Sequence, residues 1–144
     1  PGVMQQKPRD PQAPLLDKLP LRFIVLTGGV KAMIGGGILI SMPQFGFDTQ
    51  QTRDAIFLYA TISQLVFAYP ARRAGAEVLR NNWIHAAVIL GSILQLLAVA
   101  LPQFRLLLGL EPLPPLGFAI ALTGVAATWT FAEIYSRIHH RLQA

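Results

Sequence analysis

Cysteine is absent from the 144 residues, and with it go disulfides and thiolate metal sites. Charge is scarce as well. Only 13% of the chain is Asp, Glu, Lys or Arg, against about 25% in an ordinary soluble domain. No apolar run carries a Gly-rich phosphate loop, a nucleophile elbow or a carboxylate pair, so nothing in the chain is expected to perform chemistry unaided. His85, His139 and His140 have no companion Cys or Asp at metal-ligand spacing, and no catalytic, cofactor-binding or metal-ligating residue is assigned. A basic segment followed by a short apolar run and a small-residue cleavage site is missing too, so insertion is expected to rely on internal spans. Internal repeats and low-complexity tracts do not occur.

Long apolar runs take their place. Hydrophobic residues make up 53% of the chain and the mean hydropathy is +0.47. They fall in four blocks, residues 21–42, 55–70, 83–101 and 116–135, where a spanning helix needs about 20 apolar residues. Pro43, Pro70 and Pro102 close the first three, because proline cannot continue a helix. The pattern predicts an all-α, polytopic membrane protein, a four-transmembrane-helix bundle with short loops. Its divisions are a Pro-rich strap over 1–20, an outer loop over 43–54 with Gly46 as turn former, a basic loop over 71–82, a second outer loop over 102–115 and a basic tail over 136–144.

The positions of the cations orient those spans. Lys7, Arg9, Lys18, Arg22, Arg72, Arg73, Arg80, Arg137 and Arg141 fall on one side, and only Arg53 and Arg105 on the other. Cytoplasmic loops carry the Lys/Arg excess, so both termini are expected in the cytoplasm. Trp83, Tyr69 and Tyr135 sit at span ends on the same side, where amphipathic rings are favoured. The formal net charge of +5 is thus read as headgroup anchoring, with no nucleic acid as partner.

Polar and small residues inside the spans are the candidate functional positions. Gly28, Ala32 and Gly36 recur every fourth residue in the first span, which gathers small side chains on one face where another backbone can approach closely. Lys31 lies near the centre of the same span, about 100° around the helix from Ala32. A centred lysine costs about 2.5–3.5 kcal/mol on insertion scales and usually faces protein or a water path, although its stem also allows it to snorkel. Gln64 in the second block, flanked by Thr61 and Ser63, either bridges helices or offers its oxygen to a cation. Gln95 in the third block reads as a bridge. Glu133 near the end of the fourth block has Arg137 one turn later, an i,i+4 pair. Lys31, Gln64 and Glu133 are therefore carried as candidates for an ion path or for polar bridging.

The order of these segments resembles a known family. The strap from Gly2 to Leu16 is similar to the one joining the sixth and seventh transmembrane helices of type II P-type cation-transporting ATPases. Thr52-Arg53-Asp54-Ala55-Ile56-Phe57, then Ser63-Gln64-Leu65-Val66-Phe67-Ala68-Tyr69, resembles the eighth helix. Asn82-Trp83-Ile84, leading into Gly91-Ser92-Ile93-Leu94-Gln95-Leu96-Leu97 and Leu101-Pro102, resembles the ninth, and Phe131-Ala132-Glu133-Ile134-Tyr135-Ser136-Arg137 the end of the tenth. The resemblance implies the C-terminal support bundle of an ATP-driven cation pump, buttressing the core ion-transport helices. Its partners would be the lipid bilayer, the remaining transmembrane helices, the cytoplasmic domains and the transported cation. The family's phosphorylated motif Asp-Lys-Thr-Gly-Thr does not occur here, so ATP and Mg2+ are expected only for the complete pump. Calcium pumps of the family can place a carboxylate ligand where this sequence has Gln64, and Tyr69-Pro70 replaces the polar exit common in that helix.

Two other classes are consistent with the residues alone: a free-standing four-span scaffold or assembly protein, and a small transporter using Lys31 and Gln64. The cation asymmetry makes the topology testable. Cysteines introduced at Gln50 and at Glu77 are expected to label from opposite faces of sealed vesicles, and labelling of both from one face would contradict the orientation.

Overall fold

A computed structural model describes residues 18–74 and 82–141. Residues 1–17 of the strap, Arg80 and Glu77 in the basic loop, the last three residues of the tail, and the side chains of Lys18, His139, His140 and Arg141 lie outside what is described. The described residues are mostly helical, joined by turns and short irregular stretches, and include no strand. The helices are α1 (Lys18–Ser41), α2 (Thr49–Val66), α3 (Ala68–Ala74), α4 (Trp83–Ala100), α5 (Pro102–Leu108) and α6 (Pro115–Arg141). Among them, three segments are long and apolar enough to cross a membrane: Leu21–Phe45, Trp83–Ala100 and Pro115–Ile138.

Helix α2 differs from the apolar block that marks it in the sequence. It starts at Thr49, six residues before the block, because Asp48 caps it: the Asp48 side chain accepts from the Gln51 backbone N–H while the Gln51 side chain reaches back to the Asp48 N–H. This reciprocal box satisfies two amide donors that a helix start leaves unpaired. The first turn is polar for that reason, and α2 is less hydrophobic than its neighbours. Its far end breaks at Phe67 and resumes as α3. Pro70 has no N–H to give the Val66 carbonyl, and its ring crowds that carbonyl.

The loops before and after are also more ordered than their composition implies. A short 3-10 turn, Met42–Phe45, follows α1 and closes on Gly46 at φ 84°, a left-handed conformation that glycine enters without strain. The second loop holds α5, with Pro102 in its first turn, where a missing N–H removes nothing. The basic loop begins as helix α3, which carries Arg72 and Arg73 in its last turn.

Helix α2 is the hub. It packs against α1, α4 and α6, while α1 also packs on α6, α3 lies on α6, and α5 folds back on α4. The buried face of α1 is Phe23, Thr27 and Ile38, continued by Met42 at the start of the 3-10 turn, at spacings close to whole helical turns as one side of a helix requires. Ile38 and Met42 meet Leu58, Tyr59 and Ile62 of α2, Val99 of α4, and Ala121 and Val125 of α6 in one core. The outward faces are just as apolar: Val25, Met33 and Ile40 of α1 are 62%, 77% and 69% exposed. A core surrounded by exposed aliphatic side chains is what lipid, and not water, permits.

Two glycines set the spacing of this core. A methyl group added at Gly124 would lie 3.0 Å from Ile38 Cδ1, 3.1 Å from Tyr59 Cδ2 and 3.3 Å from Ile34 Cγ2, and one added at Gly35 would lie 3.2 Å from Tyr59 Cε1. The Tyr59 ring thus sits between α1 and α6 in space that only glycine leaves. Gly124→Ala is expected to destabilise the protein by about 1–3 kcal/mol through overpacking, measured by thermal unfolding in detergent. Gly28→Ala, where an added methyl meets nothing within 4 Å, is expected to be neutral or slightly stabilising.

Candidate functional site

The polar side chains of the spans converge on a layer that crosses three helices. Tyr59 of α2 donates its hydroxyl to the Lys31 carbonyl of α1 at 2.8 Å and shares a 2.9 Å hydrogen bond with Thr128 Oγ1 of α6. Tyr59 is 2% exposed and Thr128 is 2% exposed. Ser63, one turn further along α2, closes its own hydroxyl onto the Ala60 carbonyl. Every polar atom removed from water here has a partner within the protein, as the low dielectric demands.

Lys31 completes the layer at its edge. Its ammonium donates to Gln64 Oε1 at 2.8 Å and, more weakly, to the Ala60 carbonyl at 3.4 Å. Helical side chains lean toward the helix N-terminus, which carries the ammonium toward the last turn of antiparallel α2, where Gln64 lies. The pair therefore forms across 33 residues of sequence. Gln64 is exposed and Lys31 half-buried, so the pair lies at the rim of the bundle and not in its core.

Glu133 stands apart from this layer. It is 6% exposed and pairs with Arg73 of α3 and, at 2.9 Å, with Arg137 one turn on. The sequence spacing identifies the second pair; the first joins α3 to α6 and was not legible. Phe23 stacks on Phe67 with ring centres 5.5 Å apart and approaches Tyr135 at 6.0 Å, so an aromatic cluster joins α1, α2 and α6. Tyr69 stacks on His85 at 5.4 Å and contacts its Nδ1 at 3.2 Å, fastening α3 to α4.

At the opposite end, Asp54 organises the second loop. It is fully buried, accepts the Glu111 backbone N–H at 2.7 Å and Gln50 Nε2 at 3.3 Å, and lies 3.8 Å from Arg53 Nε. Gln50 and Arg53 in turn both donate to the Gly109 carbonyl. A loop that reads as merely Pro-rich is thereby fastened to the start of α2. Nothing near Asp54 in sequence signals this, since the loop amide it holds, that of Glu111, lies 57 residues away.

Gly28, Ala32 and Gly36 do not contribute to packing between the described helices. Gly28 and Ala32 are exposed, and a methyl group added at Gly28 or Gly36 meets no atom within 4 Å. Gly35, Gly124, Gly91 beneath Leu65, and Gly117 beneath Leu113 and Phe47 are the close-packed ones. Gln95 has a buried amide nitrogen with no partner among the described residues. Among the described residues no group of three or more His, Cys, Asp or Glu is placed to hold a metal ion.

Residues 1–138 match the family described as Cation transporting ATPase, C-terminus, and the chain belongs to that family. It is the C-terminal membrane part of a cation-transporting P-type ATPase. Comparison with curated proteins and with solved structures gives no match.

Tyr59 is the group on which the layer turns. Tyr59→Phe removes two interhelical hydrogen bonds while keeping the ring, and is expected to cost about 0.6–2 kcal/mol, the range of such bonds in membranes. Thermal unfolding of the detergent-solubilised protein, parent against variant, reads this directly.

Proposed function

We propose that the chain is the support bundle of an ATP-driven cation pump: four spans, both ends cytoplasmic, packed beside the core ion-transport helices. Membership of the family over residues 1–138 carries this reading. In it α2 is the second of the four spans, its polar first turn standing at the membrane surface on the Asp48 cap. The remaining transmembrane helices and the cytoplasmic domains are its partners, and ATP and Mg2+ act in those domains.

The geometry supports a mechanical role for the polar residues. Gln64 already accepts from Lys31 at 2.8 Å, and an ammonium so near would repel a transported cation by several kcal/mol at the dielectric of a protein rim. Gln64 is therefore a bridge between α1 and α2, and not a ligand. Glu133, held between Arg73 and Arg137, keeps α3 docked on α6. The small face of Gly28, Ala32 and Gly36, open on this bundle, is the surface laid against a neighbouring helix of the pump.

Two measurements on the complete pump test the proposal. Gln64→Ala is expected to lower detergent stability while leaving the cation dependence of phosphorylation unchanged; a weakened cation dependence at normal stability would make Gln64 a ligand. Ala32→Leu and Gly36→Leu are expected to lower the melting temperature more than Leu39→Ala does, through overpacking of about 1–3 kcal/mol. Leucine variants that melt like the parent would place this face against lipid and remove the buttress.

A further inference from the structure

The Lys31 side chain places an amino group at a depth where its charge needs an opposite. It lies ten residues into the span Leu21–Phe45, about 15 Å along the helix axis and within about 3 Å of the span's midpoint. That distance from the span's start is longer than a lysine stem, so snorkelling alone does not carry the ammonium to the headgroups.

The partners inside the bundle are neutral. Gln64 Oε1 and the Ala60 carbonyl are its acceptors. Each of the four described acids is engaged elsewhere or distant in the fold: Asp48 caps α2, Asp54 holds the Glu111 N–H, Glu111 lies in the exposed loop after α5, and Glu133 pairs with Arg73 and Arg137. Among the described residues no carboxylate forms an ion pair with Lys31. An amide and a carbonyl orient an ammonium, but they do not neutralise it.

The placement of the pair completes the argument. Gln64 is exposed and the Lys31–Gln64 hydrogen bond lies at the bundle rim, where lipid would be its neighbour if nothing else covered it. Lysine in hydrocarbon without a counter-charge is costly, and such residues face protein or water. The Gln64 bond holds the ammonium in place on the open side of the α1–α2 seam.

We propose that Lys31 forms an ion pair, at mid-membrane depth, with an aspartate or glutamate on an adjoining transmembrane helix outside this chain, and that Gln64 positions the ammonium for it. This rests on the buttress reading, and it adds a charge partner to what was there only a shape fit. The pair would fix both the register and the depth of the bundle against its neighbour, since a carboxylate one turn away, about 5.4 Å along the axis, is out of reach.

The test uses the complete pump, purified in detergent. Lys31→Met is expected to lower the melting temperature by several degrees and Lys31→Arg by much less. Each intramembrane Asp and Glu elsewhere in the pump is then changed to its amide, alone and together with Lys31→Met. One amide change is expected to destabilise alone, yet add little or restore stability in the Lys31→Met background, because it removes the charge left unpaired. If Lys31→Met does not accumulate, that same double variant is expected to restore accumulation. The inference is overturned if Lys31→Met melts like the parent, if every amide change adds in full, or if no double variant restores accumulation. It is also overturned if Lys31→Cys reacts with water-soluble thiol reagents as fast as Arg22→Cys, which would make the site a snorkelling one. Ala32→Leu separates the two readings: if it destabilises and Lys31→Met does not, the ion pair falls and the buttress stands, and if neither destabilises, both fall.

Discussion

The Tyr59 hydroxyl is the interaction from which the arrangement of the bundle follows. A phenol buried among membrane helices must find its hydrogen bonds in protein, and Tyr59 finds one on the α1 backbone at Lys31 and one on the α6 side chain of Thr128. To reach both, its ring has to lie flat between two helices. Gly35 on one and Gly124 on the other leave that room. The phenol and the two glycines are a single device, in which hydrogen bonding sets the direction and the absent side chains set the distance.

Helix–helix association in lipid has little hydrophobic driving force, because a lipid tail is as apolar as leucine. Specificity then rests on close contact and on polar groups that have no other partner. This bundle uses both at its centre, an ion pair at one end and a charge-assisted hydrogen bond at the other. Glu133 joins α3 to α6 through Arg73, and Asp54 joins the second loop to α2 through the Glu111 N–H. Broken backbone at Phe67 is tolerated where Pro70 is buried against neighbours, as irregular backbone at membrane depth requires.

The family assignment and this architecture account for one another. In the proposed buttress the chain, which carries no phosphorylation motif, holds its position while neighbouring domains move, and the internal pairing of Tyr59, Thr128 and Asp54 suits that role. Lys31, which forms no ion pair with a carboxylate among the described residues, lies on the rim and not in the core. The small residues of α1 that find no partner in the bundle, Gly28, Ala32 and Gly36, lie within five residues of it in sequence.

Much of the fold was legible in the residues. Apolar runs near the length of a bilayer and prolines at their ends define membrane helices, because length and transfer free energy act locally and need no knowledge of neighbours. The i,i+4 pair of Glu133 and Arg137 was legible for the same reason. What only the tertiary structure decided was which face meets which. A four-residue rhythm of small residues singles out Gly28, Ala32 and Gly36, yet Gly35 is the one that Tyr59 requires, since periodicity reports a face and says nothing of what lies opposite. Lys31 and Gln64 were each marked as unusual, but their pairing joins residues 33 apart. Asp54 and Tyr59 carried no signal at all, because the meaning of a lone polar side chain is set by the partner that folding brings to it.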